Sequence, residues 1–198
     1  MLVFPENLIL EDEKVFLRPL QQSDLEHLLP FALEEPDTWI YSNVSPAGVD
    51  RMKRYIELAI DARSAKKEYP FIVFDETIPA YAGSTRFYDI QLENLTIQLG
   101  YTWYGKQFRR TGLNRHCKLL LLTYAFETWG MERVEFRADI RNERSINAMK
   151  AIGCTVEGIL RSNCISVQGG RRSSIILSIL KDEWLNKVKE NLVKKIYA

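Results

Sequence analysis

The sequence predicts one α+β domain with a mixed sheet, spanning residues 1–198. Two observations carry that reading. Strand-like and helix-like periods follow one another in mixed order, and several strands stand at hairpin spacing. A chain of 198 residues is long enough for one real core and short for two. No repeat, low-complexity stretch or linker divides it.

The elements are read in order. KVFLRPL (14–20) alternates as a short strand that Pro19 stops. Residues 23–33 read as a helix capped by Ser23, with Leu25, Leu28 and Leu29 as its stripe and a kink or break at Pro30. A loop over 35–48 carries Trp39 and Tyr41. Residues 49–67 form an amphipathic helix that turns Met52, Ile56, Ala59 and Ile60 inward. Strands follow at 69–75, at 80–90 with a break near Gly83, and at 95–103. In the last of these Ile97, Leu99, Tyr101 and Trp103 share a face, and Gly100 marks a bulge or a close approach. The strongest element is a helix from Thr111 to Trp129, apolar over a wide surface and ended by Gly130. ERVEFRAD (132–139) is a strand with Val134, Phe136 and Ala138 inward. A helix over 142–152 ends at Gly153, two strands (154–163 and 171–180) flank the turn Gln168-Gly169-Gly170, and 181–198 is an amphipathic helix.

Bulk properties narrow the function. A net charge of +1 argues against a nucleic-acid or membrane partner for the whole molecule, so any cationic role is local. The cysteines, Cys117, Cys154 and Cys164, are odd in number and form no C-x-x-C pair. That pattern points to reduced thiols in the cytoplasm rather than to disulfides or a metal site. The start, MLVFPENLILEDEK, has acidic residues where a signal peptide carries basic ones. No stretch approaches the roughly 20 apolar residues of a membrane span.

The segment RRTGLN (109–114) lies between a strand and the strongest helix. Unpaired N–H groups and the dipole at a helix start favour an anion. Gly112 admits close approach, Thr111 offers a hydroxyl, and Arg109 and Arg110 bring charge, so phosphate is the natural guest. Read blandly, Thr111 is an N-cap and the arginines are solvated. Neither the dinucleotide nor the P-loop glycine pattern is present.

The strand, the R-x-x-G-x-N turn, the long helix, RVEFRAD, and NERSINAMKAIGC followed by EGILR together resemble the GNAT acyltransferase superfamily. The likeness is nearest the ribosomal-protein N-terminal acetyltransferases (RimJ/RimL-like) and strongest over residues 95–180. It implies a mostly antiparallel sheet with helices on both faces and a splay between the strands at 95–103 and 132–139 for the pantetheine arm of acetyl-CoA. It places the pyrophosphate on the backbone of Arg109, Arg110, Thr111, Gly112, Leu113 and Asn114, where Asn114 replaces the usual Gly or Ala. Asn142 then contacts the pantetheine region, a role that stands beside its reading as a helix N-cap.

The resemblance implies direct transfer in a ternary complex, with no enzyme nucleophile and no metal. The reaction needs a proton acceptor for the amine, a donor for the oxyanion and often an acid for the thiolate. The tyrosine frequent in the family is Met149 here, a frequent strand glutamate is Gln98, and RSNCIS (161–166) lacks the subgroup's carboxylate. Ser145 and Glu135 are left as catalytic candidates, with Ser145 three residues beyond Asn142 and on the same helix face. Glu135 also reads as a solvated strand carboxylate. Trp39, Tyr41, Tyr88 and Trp103 are candidates for the acceptor pocket, or ordinary core aromatics. The acceptor is a small-molecule or peptide amine, and the family often forms homodimers. Two rivals are a non-catalytic acyl-CoA sensor and a DNA-binding helix using RRTGLNRHCK, the latter disfavoured by the apolar stripe after Leu113.

Overall fold

The structure is a computed structural model that describes residues 4–197. The first three residues of the acidic start, and Ala198 at the end of the last helix, lie outside the described residues.

Eight strands form one sheet: β1 (Leu10–Glu11), β2 (Val15–Pro19), β3 (Tyr69–Asp75), β4 (Ala80–Gln91), β5 (Thr96–Tyr104), β6 (Arg133–Asp139), β7 (Thr155–Ile165) and β8 (Arg171–Leu180). The spatial order is β1-β2-β3-β4-β5-β6-β8-β7. Every pair is antiparallel except β5–β6. That pair is parallel because a crossover helix, α3 (Leu113–Thr123), joins its two strands. The mixed, mostly antiparallel sheet is the architecture the sequence predicts.

Two cores lie on the two faces. One gathers Val15, Phe71, Phe87, Ile97, Leu99, Leu121, Val134 and Trp184 beneath α3 and the C-terminal helices. The other gathers Leu28, Trp39, Met52, Ile56, Ile72 and Trp103 beneath α1 (Leu25–Glu34) and α2 (Val49–Ser64). The chain closes with α4 (Glu143–Ala151) before β7, and with α5 (Lys181–Glu183), a π-turn (Trp184–Val188) and α6 (Lys189–Tyr197) after β8.

Four local expectations change. Ser23 does not cap α1; it lies in a 3-10 turn, Gln22–Asp24, whose Asp24 carboxylate accepts from the Gln21 N–H at 2.8 Å. Pro30 sits inside α1 without ending it. β4 runs through Gly83 unbroken, and only its register against β3 shifts there. The long helix starts at Leu113 rather than Thr111 and loosens into a π-turn over Tyr124–Thr128.

The strand β5 holds the largest difference. Its bulge falls just after Gly100, where Tyr101 adopts φ 50° and two residues oppose Thr85 alone. The extra residue inverts the alternation. Ile97 and Leu99 therefore face α3, while Tyr101 and Trp103 face α1 and α2, and the four do not share a face. Gly100 is needed for close approach: a Cβ there would lie 2.8 Å from the Tyr88 ring.

Candidate functional site

The turn at 109–114 is built by backbone geometry. Arg110 (φ 65°) and Gly112 (φ 91°) both take left-handed conformations, which swing the chain into α3. Gly112 is the helix N-cap and has no side chain to close the first turn, so Thr111 is not the cap. The Thr111 hydroxyl instead donates to the Phe108 carbonyl (2.9 Å) and receives a long bond from the Leu113 N–H (3.4 Å). The N–H groups of Gly112 and Asn114 find no partner among the described residues. No atom lies within 4 Å of a Cβ placed at Gly112.

The two arginines divide the work. Arg109 is a tether: Nε donates to the Tyr104 carbonyl (3.0 Å) and Nη2 to Thr38 Oγ1 (2.8 Å). Glu35, which accepts from the Lys106 N–H at 2.9 Å, closes the same junction. Burial lowers the Arg109 pKa, and the nearby Arg144 charge adds to that. Arg110 is exposed and makes no hydrogen bond or ion pair among the described residues. Arg144, at the start of α4, brings a further cation to this mouth that sequence reasoning missed. Asn114 accepts from the buried Tyr104 hydroxyl at 3.3 Å, so its side chain is spent inward.

The strands below the turn part. β5 and β6 pair only at Thr96–Arg133, Ile97–Val134 and Gln98–Glu135, and beyond Gln98 each continues without the other. On one margin stands α4. Asn142 caps it, its Oδ1 accepting from the Ser145 N–H at 3.1 Å. The Ser145 hydroxyl is half-buried and has no partner among the described residues. On the α3 side lies Lys118, whose Nζ donates to Thr102 Oγ1 at 3.0 Å. Sequence reasoning met Lys118 only as the last residue of RRTGLNRHCK and gave it no role.

Comparison with known proteins decides the family. Residues 14–155, well over half of the chain, match the model of the acetyltransferase (GNAT) domain. The chain belongs to the GNAT family. It is 26% identical over 180 residues (87% of this chain, 94% of the relative) to a Bacillus subtilis (strain 168) protein named "Putative ribosomal N-acetyltransferase YdaF". It superposes with TM-score 0.87, 30% identity and full coverage of both chains on the crystal structure of a "putative acetyltransferase" from T. thermophilus. The same fold, with TM-score 0.76 and 20% identity over 85% of this chain and 93% of the other, occurs in the microcin C7 self-immunity acetyltransferase MccE, solved with acetyl-CoA and AMP.

This GNAT acetyltransferase carries residues that suit the family's cosubstrate, acetyl-CoA. Among the described residues the amides of Gly112 and Asn114 are unpaired, nothing crowds a Cβ at Gly112, and β5 and β6 part beyond Gln98. Among the described residues no group of His, Cys, Asp and Glu is placed to hold a metal, and no helix is long and apolar enough to cross a membrane.

The remaining candidates do not converge. Glu135 is held on both oxygens, by Arg133 at 2.9 Å and Arg137 at 2.6 Å, in a polar groove with Asp89 and Gln98. Gln98 itself donates to Asp89 at 2.6 Å. Trp39 and Trp103 are buried and packed edge to face, with centroids 4.9 Å apart. Tyr88 packs on Tyr101 at 5.1 Å, and burial pushes its hydroxyl pKa up. Tyr41 stands apart, its ring under Arg141 and its carbonyl accepting from Arg172 at 2.8 Å. Met149 is core. Leu113, Cys117 and Leu121 are fully buried, so this face of α3 is spent on the core.

Proposed function

We propose that this enzyme moves the acetyl group of acetyl-CoA to a primary amine by direct transfer in a ternary complex, acting as a RimJ/RimL-like acetyltransferase on a protein or peptide amine. The observation that carries the reading is the pair of amides, Gly112 and Asn114, left unpaired among the described residues at the start of α3, beside strands β5 and β6 that part beyond Gln98. The name of the Bacillus subtilis relative supports a peptide acceptor, and the acetyl-CoA held by MccE on the same fold supports the cosubstrate. Three free cysteines fit a cytoplasmic protein.

The roles follow from the geometry. The backbone of Gly112, Leu113 and Asn114 holds the pyrophosphate, with Arg110 and Arg144 as exposed cations beside it. Arg109 and Thr111 keep the turn in shape and tie it to Thr38 in the acceptor-side loop. Asn142 orders the start of α4, its Oδ1 accepting from the Ser145 N–H, and Ser145, with no hydroxyl partner among the described residues, is the candidate donor on that margin. Glu135 drops out as the base, because taking a proton would break two ion pairs. Water takes the amine proton instead. Bound acetyl-CoA supplies the activated acetyl thioester.

Thiol release from acetyl-CoA across a panel of N-terminal peptides and small amines tests the reading. Turnover with a peptide amine is the expected result. Tight binding with no turnover across the panel would favour a non-catalytic sensor, and absence of binding would overturn the placement.

A further inference from the structure

We propose that Lys118 is the acid of the transfer, its ammonium meeting the sulfur of bound CoA. The proposal rests on the acetyl-transfer reading above. Lys118 projects from α3 and is 4% exposed. Its Nζ reaches Thr102 on β5 at 3.0 Å and lies 5.9 Å from the centroid of the Phe136 ring on β6. Those are the two strands that separate beyond Gln98 and Glu135, so the cation spans their gap from the α3 side.

The charge is otherwise unanswered. An ammonium has three donors, and Lys118 has one acceptor, a hydroxyl already shared with Thr85 Oγ1 at 2.7 Å. No carboxylate pairs with it among the described residues. The titratable groups around it are Cys117 on its own helix, Cys154 from the α4–β7 connection and Tyr104 on β5. All three are neutral, since burial pushes both thiols up to about 12 and raises the Tyr104 hydroxyl well above the usual phenol range. Burial brings Lys118 itself down to about 8. An apolar side chain would fill this volume at lower cost, so a buried cation without a counter-charge points to an anion that arrives with a ligand. In acetyl transfer the developing anion on this path is the thiolate, and an acid near pH 8 is matched to a thiol.

The step balances. The neutral amine forms its C–N bond to the acetyl carbon as the C–S bond breaks. Lys118 gives a proton to the departing sulfur, and the proton shed by the amine returns through water to the neutral lysine. Ser145, from the α4 margin, is the competing donor.

The test needs no acceptor. CoA is bound to the wild-type protein and to Lys118→Met, and the ultraviolet absorbance of the bound thiolate is followed with pH. In the wild type the thiol should titrate at least about tenfold more acidic, in dissociation constant, than in Lys118→Met, and this difference should exceed any produced by Ser145→Ala. Lys118→Arg, which keeps the charge, should retain most of the shift and serves if the methionine variant does not fold. Once an acceptor is known, kcat should fall roughly 10- to 100-fold in Lys118→Met with little change in KM for acetyl-CoA. The alkaline fall in kcat centred near pH 8 should disappear with it. Identical thiolate titration in wild type and Lys118→Met, both binding CoA, would overturn the proposal and leave the acetyl-transfer reading intact. Loss of the shift in Ser145→Ala alone would move the role to Ser145. Failure of the wild type to bind CoA would overturn both.

Discussion

The turn at Gly112 and the cluster at Lys118 lie along the same helix and are built in opposite ways. The turn offers backbone amides, so what matters is the path of the chain and not the side chains it carries. Asn114 can replace a smaller residue because its side chain turns inward to Tyr104 and its N–H stays free. The cluster offers one side chain in a dry setting, so its chemistry depends wholly on residue type. Backbone sites tolerate sequence drift and are read from motifs, whereas a single buried cation is visible only once its surroundings are folded.

This contrast can be broken or sharpened by substitution. The largest effect is expected at the buried cation. With a folded-state pKa of about 8 against 10.5 in the unfolded chain, Lys118 disfavours folding by about 3 kcal/mol wherever both states are protonated. Lys118→Met should therefore be more stable at pH 7, by roughly 5–10 °C in Tm. That advantage should shrink as pH rises from about 8 towards 10.5, because the wild type gains stability over that window. A flat difference in Tm across pH would contradict a buried, unpaired ammonium.

Gly112→Val comes next. A Cβ there meets nothing in the protein, so its stability cost is the strain of φ 91° in a non-glycine residue, about 1–2 kcal/mol. Calorimetry should show acetyl-CoA binding weakened by more than about tenfold in the folded variant, equivalent to ~1.4 kcal/mol. Asn142→Ala removes a cap and should cost about 1 kcal/mol in denaturant unfolding. The smallest effect belongs to Asn114→Ala: acetyl-CoA affinity should stay within about twofold, or ~0.4 kcal/mol, since only the bond to Tyr104 is lost. A large loss there would show that the side chain, not the backbone, serves the ligand.

Much of the fold was legible because period and hairpin spacing are local signals. The mixed sheet, α2, α3 with the π-turn that closes before Gly130, and α4 capped by Asn142 all follow from patterns a few residues long. The face of Tyr101 and Trp103 was not legible, because a bulge of one residue inverts every later side chain and leaves the alternation itself intact. The turn at 109–114 was legible as R-x-x-G-x-N at a helix start, but the sequence could not show that Arg109 is bound to Tyr104 and Thr38 while Arg110 has no partner among the described residues. Glu135 looked available because its partners lie two residues away on the same strand face, where charge pairing is settled by rotamers. Lys118 was hidden for the opposite reason: a lysine beside Arg115 and His116 reads as surface until its ammonium is seen buried against Thr102 of β5 and the Phe136 ring of β6.

The central claim is that acetyl-CoA rests its phosphates on the backbone at the start of α3. The most direct measurement is the amide spectrum of isotopically labelled protein titrated with acetyl-CoA. The account predicts that the N–H signals of Gly112 and Asn114 shift strongly downfield and gain protection from exchange, while amides of the outer strand β7 stay put. Saturable binding that leaves Gly112 and Asn114 unmoved would contradict it.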